Sequence, residues 1–408
     1  MRTPRRAAAT IVLLMAAACS TVEDTPPAST VEVFTWWAEG GEKAGLDALV
    51  TRFGTGCPGQ TFENGVVAGG AGITAKQVLA DRLRQGDPPD TFQVHAGAEL
   101  LDHIDSGQVA DLSTDYDTWG LRTALPEGLV ETLTVNGRVW SVPAGVHRAN
   151  VVWANEPVLA GAGITTVPDD LAGFLRDLET LRRSGIESPL ALGRDWTQLM
   201  LLEAVLISTL GPDGFTGLFT GETPWDGAAV TRAIGDYGRL LAYSNPDRDS
   251  LDWPQAQRLL LDGKAGYQLM GDWAATDQDS FTFPGNGTAF QWLSDSFALA
   301  GAAANPDGAR CWLQTVASPE GQHDFNARKG SIPARTDAPT TGFTDYQIKT
   351  TADWRTGVPV PSCAHGSACS QPWQNAANAA VAAYSRSGDA VSLQDALAAA
   401  AKQFIRQQ

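Results

Sequence analysis

The sequence is short of the groups that metal sites and nucleotide sites require. It holds five cysteines and five histidines in 408 residues. No CxxC occurs, and His95, His103, His147, His323 and His365 include no pair at ligand spacing. No zinc signature is therefore present, and no metal or cofactor is expected. The glycine patch Gly69-Gly70-Ala71-Gly72 is not GxGxxG and leads into no Lys-Ser or Lys-Thr pair, which argues against a phosphate loop. Positive charge is scarce: 29 Lys and Arg face 46 Asp and Glu, a net charge of −17. So acidic a surface repels phosphate backbones and excludes a nucleic-acid partner. There is no tandem repeat, and the body of the chain holds no long Gly/Ser linker.

Long apolar runs are missing too. The first, Ala7 to Ala18, is broken by Thr10 and is well short of the ~20 residues that span a bilayer. No later stretch reads as apolar enough to cross. The first run follows Arg2, Arg5 and Arg6 and ends in Ala16-Ala17-Ala18, the pattern of a signal peptide over residues 1–18. Cys19 stands directly after it, and the junction resembles a bacterial lipobox, with Ala16 where that pattern prefers Leu. The expectation is lipidation of Cys19 and anchoring to the outer face of the cell membrane; the plainer alternative is an ordinary A-x-A cut. Residues 19–30 are small and polar and contain Pro26-Pro27, as suits a tether. Loss of residues 1–18 leaves 26 basic against 46 acidic residues, a charge near −20.

About 378 residues follow Thr30, more than one small core accommodates, so two lobes are expected. Cys57, Cys311, Cys363 and Cys369 form an even set in an oxidising compartment. Three pairings are open. The favoured one joins Cys57 to Cys311 across distant segments and closes a short loop with Cys363 and Cys369; four free thiols are the alternative.

Val31 to Trp37 reads as a strand, and Leu46, Leu49, Val50 and Phe53 give helical spacing. Gln60 to Val67 is a second strand, Ile73 to Gln85 a helix closed by Gly86, and Thr91 to His95 a third strand. This β-α-β-α-β alternation predicts a mainly parallel sheet flanked by helices. A similar run starts near Arg138. It includes a helix carrying Leu171, Phe174, Leu175, Leu178 and Leu181 with Thr166 as N-cap, and an apolar helix from Trp196 to Leu210.

Thirteen tryptophans are present, and several stand beside polar residues at strand ends. Open α/β sheets bind ligands at the carboxyl ends of their strands. Trp36 and Trp37, Gln93 and His95, and Asp272 and Trp273 fall there, and Asp295 lies in another short apolar segment. Such a set suits a pyranose: indole faces cover its C–H surfaces, and carboxylates, amides, His and Lys match its hydroxyls. The bland reading of each is packing. Strand alternation turns one of Trp36 and Trp37 into the core, and Trp153, Trp312, His103 and His323 are expected to be packing or surface residues.

In order along the chain come Val33-Phe-Thr-Trp-Trp-Ala38, Gly69-Gly-Ala-Gly72, Gly86-Asp-Pro-Pro-Asp-Thr-Phe-Gln-Val-His-Ala-Gly97, Trp140-Ser-Val-Pro143 and Val146-His-Arg-Ala-Asn150. Pro189-Leu-Ala-Leu-Gly193, Trp196-Thr-Gln198, Met270-Gly-Asp-Trp-Ala274, Leu293-Ser-Asp-Ser-Phe297 and Lys329-Gly-Ser-Ile332 follow. Over about Val31 to His365 the chain resembles the extracellular solute-binding proteins of bacterial carbohydrate ABC transporters, particularly the glucose/mannose-binding branch. The resemblance implies an α/β, two-lobed periplasmic-binding-protein type II clamshell, not an enzyme. It implies lobes of residues 31–143 with 294–340 and 144–293 with 341–408. It carries sugar contacts onto Trp36 or Trp37, Glu42, Gln93, His95, Asp295, Lys329 and His365, with Trp196 and Trp273 as further aromatic walls. Glu39 competes with Glu42, and the segment after His365 departs from the family pattern and adds Cys363 and Cys369. The implied partners are a monosaccharide and membrane permease subunits, and a monomer is expected. The rivals are a receptor for an oligosaccharide, polyol or other solute, and a secreted glycoside hydrolase, which needs two carboxylates flanking a sugar.

Overall fold

The computed structural model describes residues 29–68 and 72–405. The expected signal peptide, Cys19, nearly all of the tether and most of the Gly69–Gly72 turn lie outside the described residues. In chain order the strands are β1 (Thr30–Phe34), β2 (Thr61–Asn64), β3 (Thr91–His95), β4 (Thr134–Val135), β5 (Arg138–Val139) and β6 (Val142–Arg148). Then come β7 (Val151–Ala154), β8 (Leu190–Ala191), β9 (Tyr267–Leu269), β10 (Asp279–Thr282), β11 (Ala289–Leu299) and β12 (Val358–Pro361).

The expected β-α-β-α-β start is there. β1 lies parallel to β2 and β3, and the helices Gly40–Gly56 and Ile73–Gln85 connect them. The sheets are nonetheless mixed rather than mainly parallel. β11 runs antiparallel to β3 and β6 and parallel to β12, and the second sheet, in the order β10-β7-β9-β8, has one parallel pair, β8 with β9. The reason is topological. β11 returns to β3 and β6 from far along the chain, so no local crossover fixes its direction.

Two apolar cores result. Val31, Phe34, Trp37, Phe92, Phe297, Trp312 and Phe325 share one; Trp153, Phe174, Tyr237, Tyr267 and Phe283 share the other. Strand β11 touches both: it gives Phe290 and Phe297 to the first core and Leu293 to the second, while its partner β6 gives Val142, Ala144 and Val146 to the first. Every residue of β11 is buried.

Three local expectations shift. The helix Leu171–Arg183 is capped by Asp170, not Thr166; the Asp170 carboxylate accepts from Gly173 N at 2.7 Å. The apolar helix runs on from Trp196 to Thr220, across a break at Gly211, where φ is 72°, followed by Pro212. By length and composition this helix is apolar enough to cross a membrane. All residues from Trp196 to Ile207, Gln198 and Glu203 included, are instead buried inside the second core. Both favoured disulfides form, Cys57 to Cys311 and Cys363 to Cys369.

Candidate functional site

A cavity of ≈ 560 Å³ opens between the two cores. Its walls include Trp36, Glu42, His95, Trp196, Trp273, Asp295, Lys329 and His365, eight of the ten side chains expected to meet a sugar. Trp37 and Gln93 are not among its lining residues. Trp36 and Trp37 follow β1, and alternation sends them opposite ways. Trp37 is wholly buried, edge-on to Phe297, and belongs to the first core. Gln93 is also wholly buried, because all five residues of β3 are covered. It acts from behind: its amide donates to Asp295 Oδ1 at 3.2 Å and accepts from the Trp36 N–H at 3.2 Å.

Asp295 is the electrostatic centre. β11 places it opposite His95 of β3. Its Oδ2 accepts from Lys329 Nζ and, at 3.1 Å, from His147 Nε2. Burial alone would push the carboxyl up, but Lys329 and His147 overcome this and hold it well below the usual carboxylate range. The Lys329 ammonium sits at the end of the helix Pro319–Lys329 and 4.4 Å from the centre of the Trp37 ring. Trp37 thus supports the site's cation rather than the ligand.

Each imidazole is fixed by a second group. His147 Nδ1 meets Asp272, whose other oxygen accepts the Arg148 N–H at 2.9 Å. Burial opposes the charged ring, yet Asp272 raises the His147 pKa above its ordinary value. His95 Nδ1 lies 2.9 Å from Glu99 Oε2, which also receives Lys76 Nζ at 2.7 Å. Desolvation works against the buried Glu99 charge, but Lys76 and His95 bring its pKa to about 2. His95 Nε2 stays 3.9 Å from Asp295, and His95 lines the cavity. His365 Nδ1 is 3.0 Å from Ser362 Oγ, and its buried Nε2 has no protein partner.

The apolar walls are indoles. Trp196 and Trp273 ring centres lie 6.0 Å apart, and His365 sits 5.4 Å from one and 5.1 Å from the other. Trp36, from the first core, packs 5.4 Å from His95. Two glycines make room. A Cβ on Gly72, at φ 89°, would approach the Trp36 ring to 2.9 Å, and one on Gly271 would collide with the Trp273 ring. Glu42 is half-buried in the first turn of its helix, and burial raises its pKa; Glu39 lines the cavity too but is exposed. Among the described residues, no cluster of His, Cys, Asp and Glu suits a metal ion. The surface offered is therefore flat apolar faces ringed by hydrogen-bonding groups, several of them charged.

The family profile of bacterial extracellular solute-binding proteins matches residues 37–323. The chain belongs to that family. An ABC transporter extracellular-binding protein from Pyrococcus horikoshii is 32% identical, covering 86% of this chain and 82% of that protein. A probable sugar-binding periplasmic protein from Rhizobium meliloti is 31% identical, covering 84% and 86%. A chitin oligosaccharide binding protein superposes with a TM-score of 0.81 at 20% identity, over 92% of this chain and 98% of the other. The solute receptor AcbH, whose substrate preference is β-D-galactopyranose, gives 0.80 at 18% identity over the same shares. These superpositions establish the two-lobed type II periplasmic-binding-protein fold.

Four further side chains at or behind the cavity of this solute-binding protein carry little signal in the sequence. His147 lies inside a matched stretch, but β6 buries it, and a lone histidine there reads as packing. Trp253 and Asp252 line the cavity from the start of the helix Trp253–Leu261, where Asp252 is the N-cap. Glu203 sits one layer behind His365. Its signal was a single carboxylate in an otherwise apolar helical run.

Proposed function

We propose that this solute-binding protein captures a glucose- or mannose-like monosaccharide in the cavity and delivers it to the membrane permease of an ABC importer. The observation that carries the reading is Asp295, held ionised by Lys329 and His147 between tryptophan walls. A carboxylate so fixed accepts from a ligand hydroxyl through its remaining lone pair while the indoles cover the sugar ring. The moving bodies in this proposal are residues 31–143 with 294–340 and 144–293 with 341–408, hinged on β6 and β11. The two separate apolar cores support that division. Export and anchoring through a lipidated Cys19, and action as a monomer, belong to the same proposal.

Binding without turnover is expected, at micromolar affinity or tighter, about −8 kcal/mol. Asp295 is a poor nucleophile, since Gln93, His147 and Lys329 already donate to its carboxylate and leave about one acceptor site open to a ligand. A cavity of ≈ 560 Å³ with Trp253 in its wall favours a short oligosaccharide as the second reading. Calorimetry with glucose, mannose, galactose and short oligosaccharides tests both, and chromogenic glycosides test turnover. Heat from no sugar at millimolar concentration overturns the sugar reading; steady release of chromophore overturns the receptor reading.

A further inference from the structure

The Cys363–Cys369 loop is tied to the second core through one buried carboxylate. Glu203 is 1% exposed, on the helix Trp196–Thr220. Its Oε1 accepts from Cys363 N at 2.7 Å and Ala364 N at 3.0 Å, and its Oε2 from Ser362 Oγ at 2.8 Å and Gln291 Nε2 at 2.6 Å. None of these partners is a cation. We propose that Glu203, acting through Ser362, sets the hydrogen-bond polarity of His365, so that its cavity-facing Nε2 is an acceptor. Glu203 is on this account a positioning residue, and the proposal rests on the sugar-binding reading of the cavity.

The argument is a count of protons. A serine hydroxyl has one hydrogen. Ser362 gives it to the Glu203 carboxylate, so Ser362 Oγ faces His365 Nδ1, 3.0 Å away, as an acceptor. Nδ1 therefore keeps the ring proton. Burial, His95, Lys76 and His147 all discourage a second proton, and Asp295, the one group favouring it, does not prevail: the His365 pKa lies well below its ordinary value. Nε2 is then a bare lone pair, buried and without a protein partner, in a residue that lines the cavity. Lys329 only donates, so His365 supplies a polarity that Lys329 cannot. A bound sugar must point a hydroxyl hydrogen at Nε2.

The relay has a built-in pH dependence. Burial lifts the Glu203 carboxyl to about 7, the hydrogen bonds from Ser362, Ala364, Cys363 and Gln291 notwithstanding. Once protonated, Glu203 no longer requires the Ser362 hydrogen. Ser362 then turns to donate to Nδ1, and the proton moves to Nε2.

The test is ¹⁵N NMR of histidine-labelled protein at pH 8 and pH 5.5, with His365 assigned by loss of its signal in His365→Asn. Calorimetry accompanies it, with glucose, mannose, galactose and their deoxyfluoro derivatives, in which fluorine cannot donate. The wild-type protein at pH 8 is expected to show the Nδ1–H tautomer. Ser362→Ala keeps the Cys363 and Ala364 amide bonds to Glu203; it should shift the ring toward Nε2–H and weaken sugar binding about tenfold. One deoxyfluoro position should lose binding in the wild type and not in Ser362→Ala. A dominant Nε2–H tautomer in the wild type overturns the proposal with no variant needed, as does a Ser362→Ala protein with unchanged tautomer and affinity. Absence of sugar binding counts against the sugar reading alone, because the tautomer is read without ligand.

Discussion

At the scale of single residues, two buried carboxylates behave oppositely because their partners differ. Asp295 faces Lys329 and His147, so its charge is matched. Asp295→Asn strands the Lys329 ammonium, 7% exposed, in an apolar setting. A loss of about 3 kcal/mol in unfolding free energy and at least about tenfold in sugar affinity is expected. The double variant Asp295→Asn with Lys329→Met should regain most of the stability and none of the affinity, measured by denaturant melts and calorimetry. Recovery of binding would remove Asp295 from the ligand's contacts. Glu203 has only neutral donors, and its folded pKa of about 7 stands above the ordinary 4.5. Between those values the folded protein holds the extra proton. Its contribution to stability is therefore complete below about pH 4.5 and is lost as pH rises through about 7, some 3 kcal/mol in all. Glu203→Gln should flatten that slope in urea melts run from pH 4.5 to 8. The amide is accommodated if Gln291 flips, since Gln291 Oε1 has no partner. Of this chemistry, the sequence disclosed the types of residue but not their depth. Trp36 and Trp37 share one strand end, and alternation separates them without telling which faces the cavity. Gln93 lies in a strand buried on both faces, where no alternation exists to be read.

Among elements, the two disulfides do different jobs. Cys57–Cys311 spans 254 residues and joins the end of one first-core helix to the helix Pro306–Ala317. Cys363–Cys369 spans six residues and closes the loop that carries His365 into the cavity. Chain-entropy arguments give about 5 kcal/mol for the long closure and about 2 kcal/mol for the short one. Cys57→Ser with Cys311→Ser should thus lower the denaturation midpoint strongly and leave sugar affinity in place. Cys363→Ser with Cys369→Ser should do the reverse. Equal loss of affinity in both pairs would mean that the short loop has no separate part in recognition. Elements were the most legible level of this chain. The helix Ile73–Gln85 ends where Gly86 adopts φ 74°, as its sequence announces. Strand direction was not legible. The alternation rule speaks for neighbours in the chain, and β11 pairs antiparallel with β3, whose residues come far earlier in the sequence. The Asp170 cap was missed because Thr166 and Asp170 both qualify by type, and the backbone turn that selects one leaves no mark on composition.

On the scale of the whole molecule, the cavity wall is divided between the cores. Lys329 and Trp36 belong with the first, and Trp196 and Trp273 with the second. On the proposed reading, a sugar gains its full set of contacts only when the two halves approach, and that differential affinity would shift an open population to a closed one. β11 is suited to carry the proposed motion: it is long, pairs with β6 along most of the length of β6, and touches both cores. Small-angle scattering should show the wild-type radius of gyration contract on saturation with the sugar that calorimetry identifies. At a hundredfold excess over Kd the same ligand should add about 2.7 kcal/mol to unfolding free energy. Trp196→Ala with Trp273→Ala strips the second-core wall while Asp295 and Lys329 remain. Its residual, weaker binding should proceed with little contraction. Full contraction in that variant at saturation would show that closure draws its free energy from elsewhere than the tryptophan wall, and the hinge would then have to be sought in contacts between the lobes themselves.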